Sequence, residues 1–201
     1  TLSNGLETYV QHDIITSPKE LEEYLHSYIS VLPYNELGAA AAAYNADENE
    51  LCRLDEIYSA AKTPFEIRSG SEKVTRRFFK ICNNGRESFT GLYKSLTEQG
   101  ICKGHQCIAY GLYMRDNGIE LSEGLAVYGY SICSAIVTNC VKLVPLSQLA
   151  GQKILGESFE LISSASEKAL FTDINDIGIS GAGFDLRAMQ HERLYSRQYM
   201  S

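Results

Sequence analysis

An all-α, single-domain helical bundle is the fold class predicted by three features of this 201-residue sequence. Apolar residues recur at three- and four-residue spacing along most of the chain, as on one buried face of successive helices. No convincing run of strict apolar–polar alternation interrupts them, so sheet content is expected to be close to nil. The composition, 44% apolar and 21% charged, is that of an ordinary globular protein, and the length suits one domain with a large core.

Ser17-Pro18 supplies a cap and a first-turn proline, after which Leu21, Tyr24, Leu25, Tyr28, Ile29 and Leu32 line one face. Pro33 ends that helix, and 34–46 begins another. Leu51, Leu54, Tyr58 and Ala61 mark a third stripe. Thr63-Pro64 opens a fourth helix, with Val74, Phe78, Ile81 and Cys82 inward. Beyond the Asn83-Asn84-Gly85 turn, Phe89, Leu92, Tyr93 and Leu96 form a shorter helix. A further one covers 105–116 and stops at Asn117-Gly118. The segment 121–144 is the most apolar, with Val127, Tyr130 and Val137 opposite Leu125, Tyr128, Ile132 and Cys133. A helix apolar nearly all round belongs at the centre of a bundle. Pro145 stops it, and 148–163 is read as one more helix. The predicted organisation is a helical body over 1–171, a polar, glycine-rich flexible loop over 172–184 and a charged, aromatic tail over 185–201.

A net charge of -7 disfavours nucleic acid as a partner, since nothing obvious neutralises phosphates. No stretch is read as the roughly 18 apolar residues that span a bilayer, and no secretory leader is visible. The six cysteines (Cys52, Cys82, Cys102, Cys107, Cys133, Cys140) are scattered through helical pattern, unlike a disulfide framework. Reduced, mostly buried thiols and a cytoplasmic location are the expectation.

Catalytic chemistry is hard to find. Gly178–Gly183 lacks the Gly-Lys-Ser/Thr ending of a phosphate cradle, and His191-Glu192 is followed by Tyr195 where a zinc helix needs a second histidine. Cys102, His105 and Cys107 are weak candidates for a soft metal site, because no fourth ligand stands nearby. The chain is therefore read as a non-enzyme with no tightly bound cofactor.

Three passages, taken together, resemble the family of urease accessory protein F (UreF). They are Ser3-Asn4-Gly5-Leu6-Glu7-Thr8-Tyr9, then Thr63-Pro64-Phe65-Glu66-Ile67-Arg68 with Arg77 following, then Met189-Gln190-His191-Glu192 through Leu194-Tyr195-Ser196-Arg197 to Ser201. Pro145-Leu146-Ser147-Gln148 and the run from Gly151 to Leu155 are in the same style. The resemblance implies a helical chaperone of nickel-urease maturation that pairs with itself and with urease accessory protein D (also called H). It implies recruitment of the GTPase accessory protein G and delivery to the urease apoprotein, with nickel handled by the complex. Regulation of that GTPase, as an activating or fidelity factor, is the alternative. The partner-binding residues it points to are Gly5, Glu7, Tyr9, Glu66, Arg68, Tyr130, His191, Glu192, Tyr195, Ser196, Arg197 and Tyr199. Arg197 offers a planar fork for carboxylates or carbonyls, and Tyr195 and Tyr199 rigid aromatic area.

Overall fold

The computed structural model describes residues 5–82, 85, 87–179, 181–195 and 197–198. The described residues form α-helices and short 3₁₀ turns, with no strand among them. In order they are α1 (Leu6–Gln11), α2 (Pro18–Val31), α3 (Glu36–Asn45), α4 (Glu48–Ala61), α5 (Phe65–Ile81), α6 (Phe89–Glu98), α7 (Gln106–Asp116), α8 (Leu121–Leu143), α9 (Gln148–Glu157), α10 (Phe159–Ala169) and α11 (Ala182–His191). The 3₁₀ turns are Leu32–Tyr34 and Ile174–Asp176.

Local chemistry fixes the helix starts. The Ser17 hydroxyl accepts from the Glu20 amide ahead of Pro18, and Asp47 and Glu50 form a reciprocal capping box at α4. Ser88 and Ser147 cap α6 and α9 through the amides of Gly91 and Ala150. Other ends are capped across elements. The Asp116 carboxylate receives the first α6 amides, Phe89 and Thr90, at 2.9 Å each, and the Ser71 hydroxyl of α5 receives the Gln106 amide of α7 at 3.0 Å.

α8 runs through the centre, against α1, α2, α3, α7, α9 and α10. One strip of it faces outward, with Val127 61% exposed and Tyr130 resting on Phe159 of α10. By length and composition this 23-residue helix also meets the requirement for crossing a membrane, which corrects the sequence reading. Half of its apolar window is buried within the protein, as in the core helix of a bundle. α3 is the most enclosed helix. Its Leu37, Ala39, Ala40 and Ala43 are wholly buried, and its small side chains let α7 approach closely.

Two packing details differ from the periodicity reading. α5 turns Gly70, Ser71, Thr75 and Phe79 inward, while Ile81 is 82% exposed. The inward face is shifted by about one residue because small residues, not large apolar ones, sit where α5 meets α7. The stretch read as one helix over 148–163 is α9 and α10, broken at fully buried Ser158. That hydroxyl turns back to the Ile154 carbonyl at 2.8 Å, a local bond that competes with helix continuation. In the carboxy-terminal part, α11 already starts at Ala182 and carries the chain back onto α1 and α5.

Candidate functional site

α1 begins on a left-handed glycine. Gly5 has φ +80°, and a Cβ there would sit 2.9 Å from the Ala188 amide nitrogen, so the first turn of α1 lies directly on the backbone of α11. The Thr8 hydroxyl donates to the Arg187 carbonyl at 2.9 Å and locks this register. Glu7, 1% exposed, thereby faces His191, also 1% exposed, with Glu7 Oε2 3.1 Å from His191 Nε2.

The other side of the imidazole meets α5. Glu66 stands in the first turn of that helix, where the dipole favours a carboxylate, and its Oε2 is 2.7 Å from His191 Nδ1. Its Oε1 accepts from the Arg197 guanidinium at 2.8 Å, and Glu7 Oε1 accepts from the Gln198 amide at 2.8 Å. Each glutamate thus ties His191 to the segment beyond it. Both ring nitrogens of His191 therefore face a carboxylate oxygen. The knot joins the first helix, the α4–α5 corner and the chain's last described residues.

This knot gathers Gly5, Glu7, Glu66, His191 and Arg197 from the three motif passages. The remaining candidates have other settings. Tyr9 packs edge-on against Tyr24, with its ring centroid 5.1 Å away, and lies under the Arg187 guanidinium at 5.6 Å. Arg68 donates to the carbonyls of Lys62 and Thr63 at 2.5 and 2.6 Å, closing the end of α4. Tyr130 belongs to the α8–α10 surface, Glu192 is the exposed C-cap of α11, and Tyr195 is fully exposed at 106%. Ser196 and Tyr199 lie outside the described residues.

The fold does not assemble Cys102, His105 and Cys107. Among the described residues no three His, Cys, Asp or Glu side chains converge as ligands. Cys102 faces Cys52, while Cys107 is buried beside Tyr58, and burial pushes its thiol up to about 12. His105 is wholly buried, its Nε2 2.7 Å from the Ser59 hydroxyl. The pair looks like the start of a hydrolytic triad, but the third member is missing. His105 Nδ1 has no hydrogen-bond partner, so no hydrogen bond to that nitrogen fixes the tautomer or orients the ring. Asp55, the nearest carboxylate in that network, is engaged elsewhere. It accepts from the Tyr93 hydroxyl at 2.6 Å and from the amides of Lys103 and Gly104 at 2.7 and 3.1 Å. Asp55 is the residue sequence reading passed over. Its signal was a carboxylate inside the apolar stripe of Leu51, Leu54 and Tyr58.

Burial, reinforced by the positive charges of Lys62 and Arg68 and opposed by Asp55, lowers the His105 pKa to about 4. The unfolded chain takes up this proton near the usual value of about 6.5, so it binds more protons than the native state between the two values. Stability supplied by neutral His105 is therefore complete above about pH 6.5 and drains away as pH falls towards 4, by about 3 kcal/mol. Urea melts across that range should show the loss in the native chain and a shallower one in His105→Gln. Parallel slopes would contradict it.

Beside this network, a cavity of about 280 Å³ opens between α5, α7 and α8, with Glu36, Tyr58, Ser71, Cys107 and Tyr128 among its lining. Glu36 is already neutralised there by the largely buried Lys62, at 2.9 Å.

A family model described as UreF matches residues 15–158. The urease accessory protein UreF of Actinobacillus pleuropneumoniae serotype 5b (strain L20) is 34% identical over 205 residues, covering 99% of this chain and 90% of that protein. Its namesake in Haemophilus influenzae (strain ATCC 51907 / DSM 11121 / KW20 / Rd) is 34% identical over 206 residues, covering 99% and 87%. That of Streptococcus thermophilus (strain ATCC BAA-491 / LMD-9) is 27% identical over 205 residues, covering 99% and 86%. With the family model covering more than half of its length and relatives matching it almost end to end, this chain belongs to the UreF family.

Proposed function

We propose that this chain is a non-catalytic urease accessory protein that scaffolds nickel-site assembly, and that it presents the Glu7–Glu66–His191–Arg197 face to its accessory partner. The observation that supports this reading is the knot itself. Charged residues from both ends of the chain and from the start of α5 are spent on one another, at a place where exposed Phe65, Leu186, Met189 and Tyr195 accompany them in sequence. Rigid polar groups beside exposed aromatic and aliphatic side chains make a surface suited to a protein partner. The proposed partners are urease accessory protein D/H, the GTPase accessory protein G and the urease apoprotein, together with a second copy of this chain. Nickel is the cargo of that assembly, in the cytoplasm.

The alternative role, acting on the GTPase through an arginine, is narrowed by the geometry. Arg68 is committed to two carbonyls and Arg197 to Glu66, whereas Arg77 is exposed on α5.

Co-purification with accessory protein D/H tests the scaffold reading. Tyr195→Ala combined with Met189→Ala is expected to cut retention roughly 10-fold or more while leaving the melting temperature unchanged, because both side chains are exposed. Unaltered retention would remove this face from the proposal. The cut that isolates the tail belongs after His191, since a deletion starting at Arg187 would also strip buried Ala188 and His191 from the body.

A further inference from the structure

We propose that Cys52 and Cys102 are a redox pair that closes reversibly into a disulfide, with an oxidised low-molecular-weight disulfide as its substrate. The two sulfurs are 3.9 Å apart, about 2 Å more than a disulfide bond. One is on α4, and the other is in the short connection between α6 and α7. That connection has freedom where it is needed. Gly100 and Gly104 flank Cys102 with φ of +75° and +91°, and the space around the Gly100 α-carbon is open. Its far end is anchored in the required place, because the Lys103 and Gly104 amides already bind Asp55, three residues after Cys52 on α4. Closing the remaining gap falls to side-chain rotation together with this glycine-flanked connection.

The two thiols differ in access, which sets the order of a stepwise exchange. Cys52 is half-buried and reachable, while Cys102 is only 2% exposed. Burial and the nearby Asp55 carboxylate also push the Cys102 thiol up, so its attack runs through a small thiolate fraction and is the slow step. Cys52, as its thiolate, attacks one sulfur of the oxidant, forming a mixed disulfide and expelling the first thiolate. Cys102 then attacks the Cys52 sulfur and expels the second. Two protein thiols are oxidised, one disulfide is reduced, and the two thiol protons leave on the two released small thiols. In a reducing compartment the pair stays open and closes only when the thiol pool is oxidised. Closure staples α4 to the entrance of α7 and so stiffens the frame on which α5 lies.

The test uses the full chain, first reduced and then incubated with oxidised glutathione at neutral pH. Thiol counting after denaturation should show two of the six thiols lost, and a proteolytic fragment should join Cys52 to Cys102 at a mass lower by two hydrogens. The oxidised protein should melt higher by roughly 5 °C, as expected of a cross-link that fits the native geometry. Cys102→Ser should trap a single glutathione on Cys52, an adduct absent from the native chain after the same treatment. Retention of all six thiols, arrest of the native chain at the glutathione adduct, or a bridge to any other cysteine would each overturn the assignment.

Discussion

Glu7→Ala is expected to destabilise the fold by about 1–3 kcal/mol, the cost of leaving a buried hydrogen-bonding group without its partner. Polar groups are taken out of water at little cost only where hydrogen bonds replace those that water made. Glu7 and His191 make such a replacement for each other, each 1% exposed and 3.1 Å apart. With Glu7 gone, His191 Nε2 loses this partner while Nδ1 keeps Glu66, and the Gln198 amide loses its acceptor as well. Urea unfolding should report the loss as a lower midpoint with an unchanged slope. Glu7→Ala combined with His191→Ala should cost less than the sum of the single changes, since the second removes the group that the first leaves unsatisfied. A loss below about 1 kcal/mol for the single change would mean that solvent reaches the knot. Arg197→Ala is the control. That side chain is 45% exposed, so breaking its pair with Glu66 should cost at most about 1 kcal/mol.

How much of this was legible in the sequence depended on the distance over which a residue acts. α2 was readable almost to the residue, because Ser17-Pro18 and the stripe from Leu21 to Ile29 are local and agree with one another. α5 was readable as a helix but not as a face. Its inward residues, Gly70, Ser71 and Thr75, were chosen for close approach and for capping α7, neither of which appears in hydrophobic periodicity. The break at Ser158 was hidden for a similar reason, since a hydroxyl turned onto its own backbone leaves the apolar spacing intact. The knot lay furthest out of reach. Glu7 and His191 are 184 positions apart, and no spacing rule couples them. Likeness to a family singled out their passages as functional, and only the fold shows that the side chains in them hold one another.

Gly111→Ala is expected to destabilise by about 3 kcal/mol or more, against the direction that helix propensity alone dictates. In an ordinary exposed helix the change would stabilise by roughly 0.5–1 kcal/mol, because alanine loses less backbone freedom on folding. Gly111 lies mid-α7 where that helix crosses α3, and a Cβ there would fall 2.2 Å from the Ala40 carbonyl oxygen and 3.0 Å from its carbon. Neither contact can be relieved by a side-chain rotation, since both atoms are backbone. The helices have to separate, and the surrounding Ala39, Ala43, Ile108 and Leu112, all wholly buried, lose contact as they do. A melting temperature lower by roughly 6–12 °C follows for a domain of this size. The sign is the decisive reading. A rise would show that α3 and α7 are held apart by side chains and that the alanine run from Ala39 to Ala43 serves only helix propensity. A fall of the expected size would show that the run exists to let two backbones touch, and that the rigidity of the body which carries the Glu7–Glu66–His191 knot begins at that crossing.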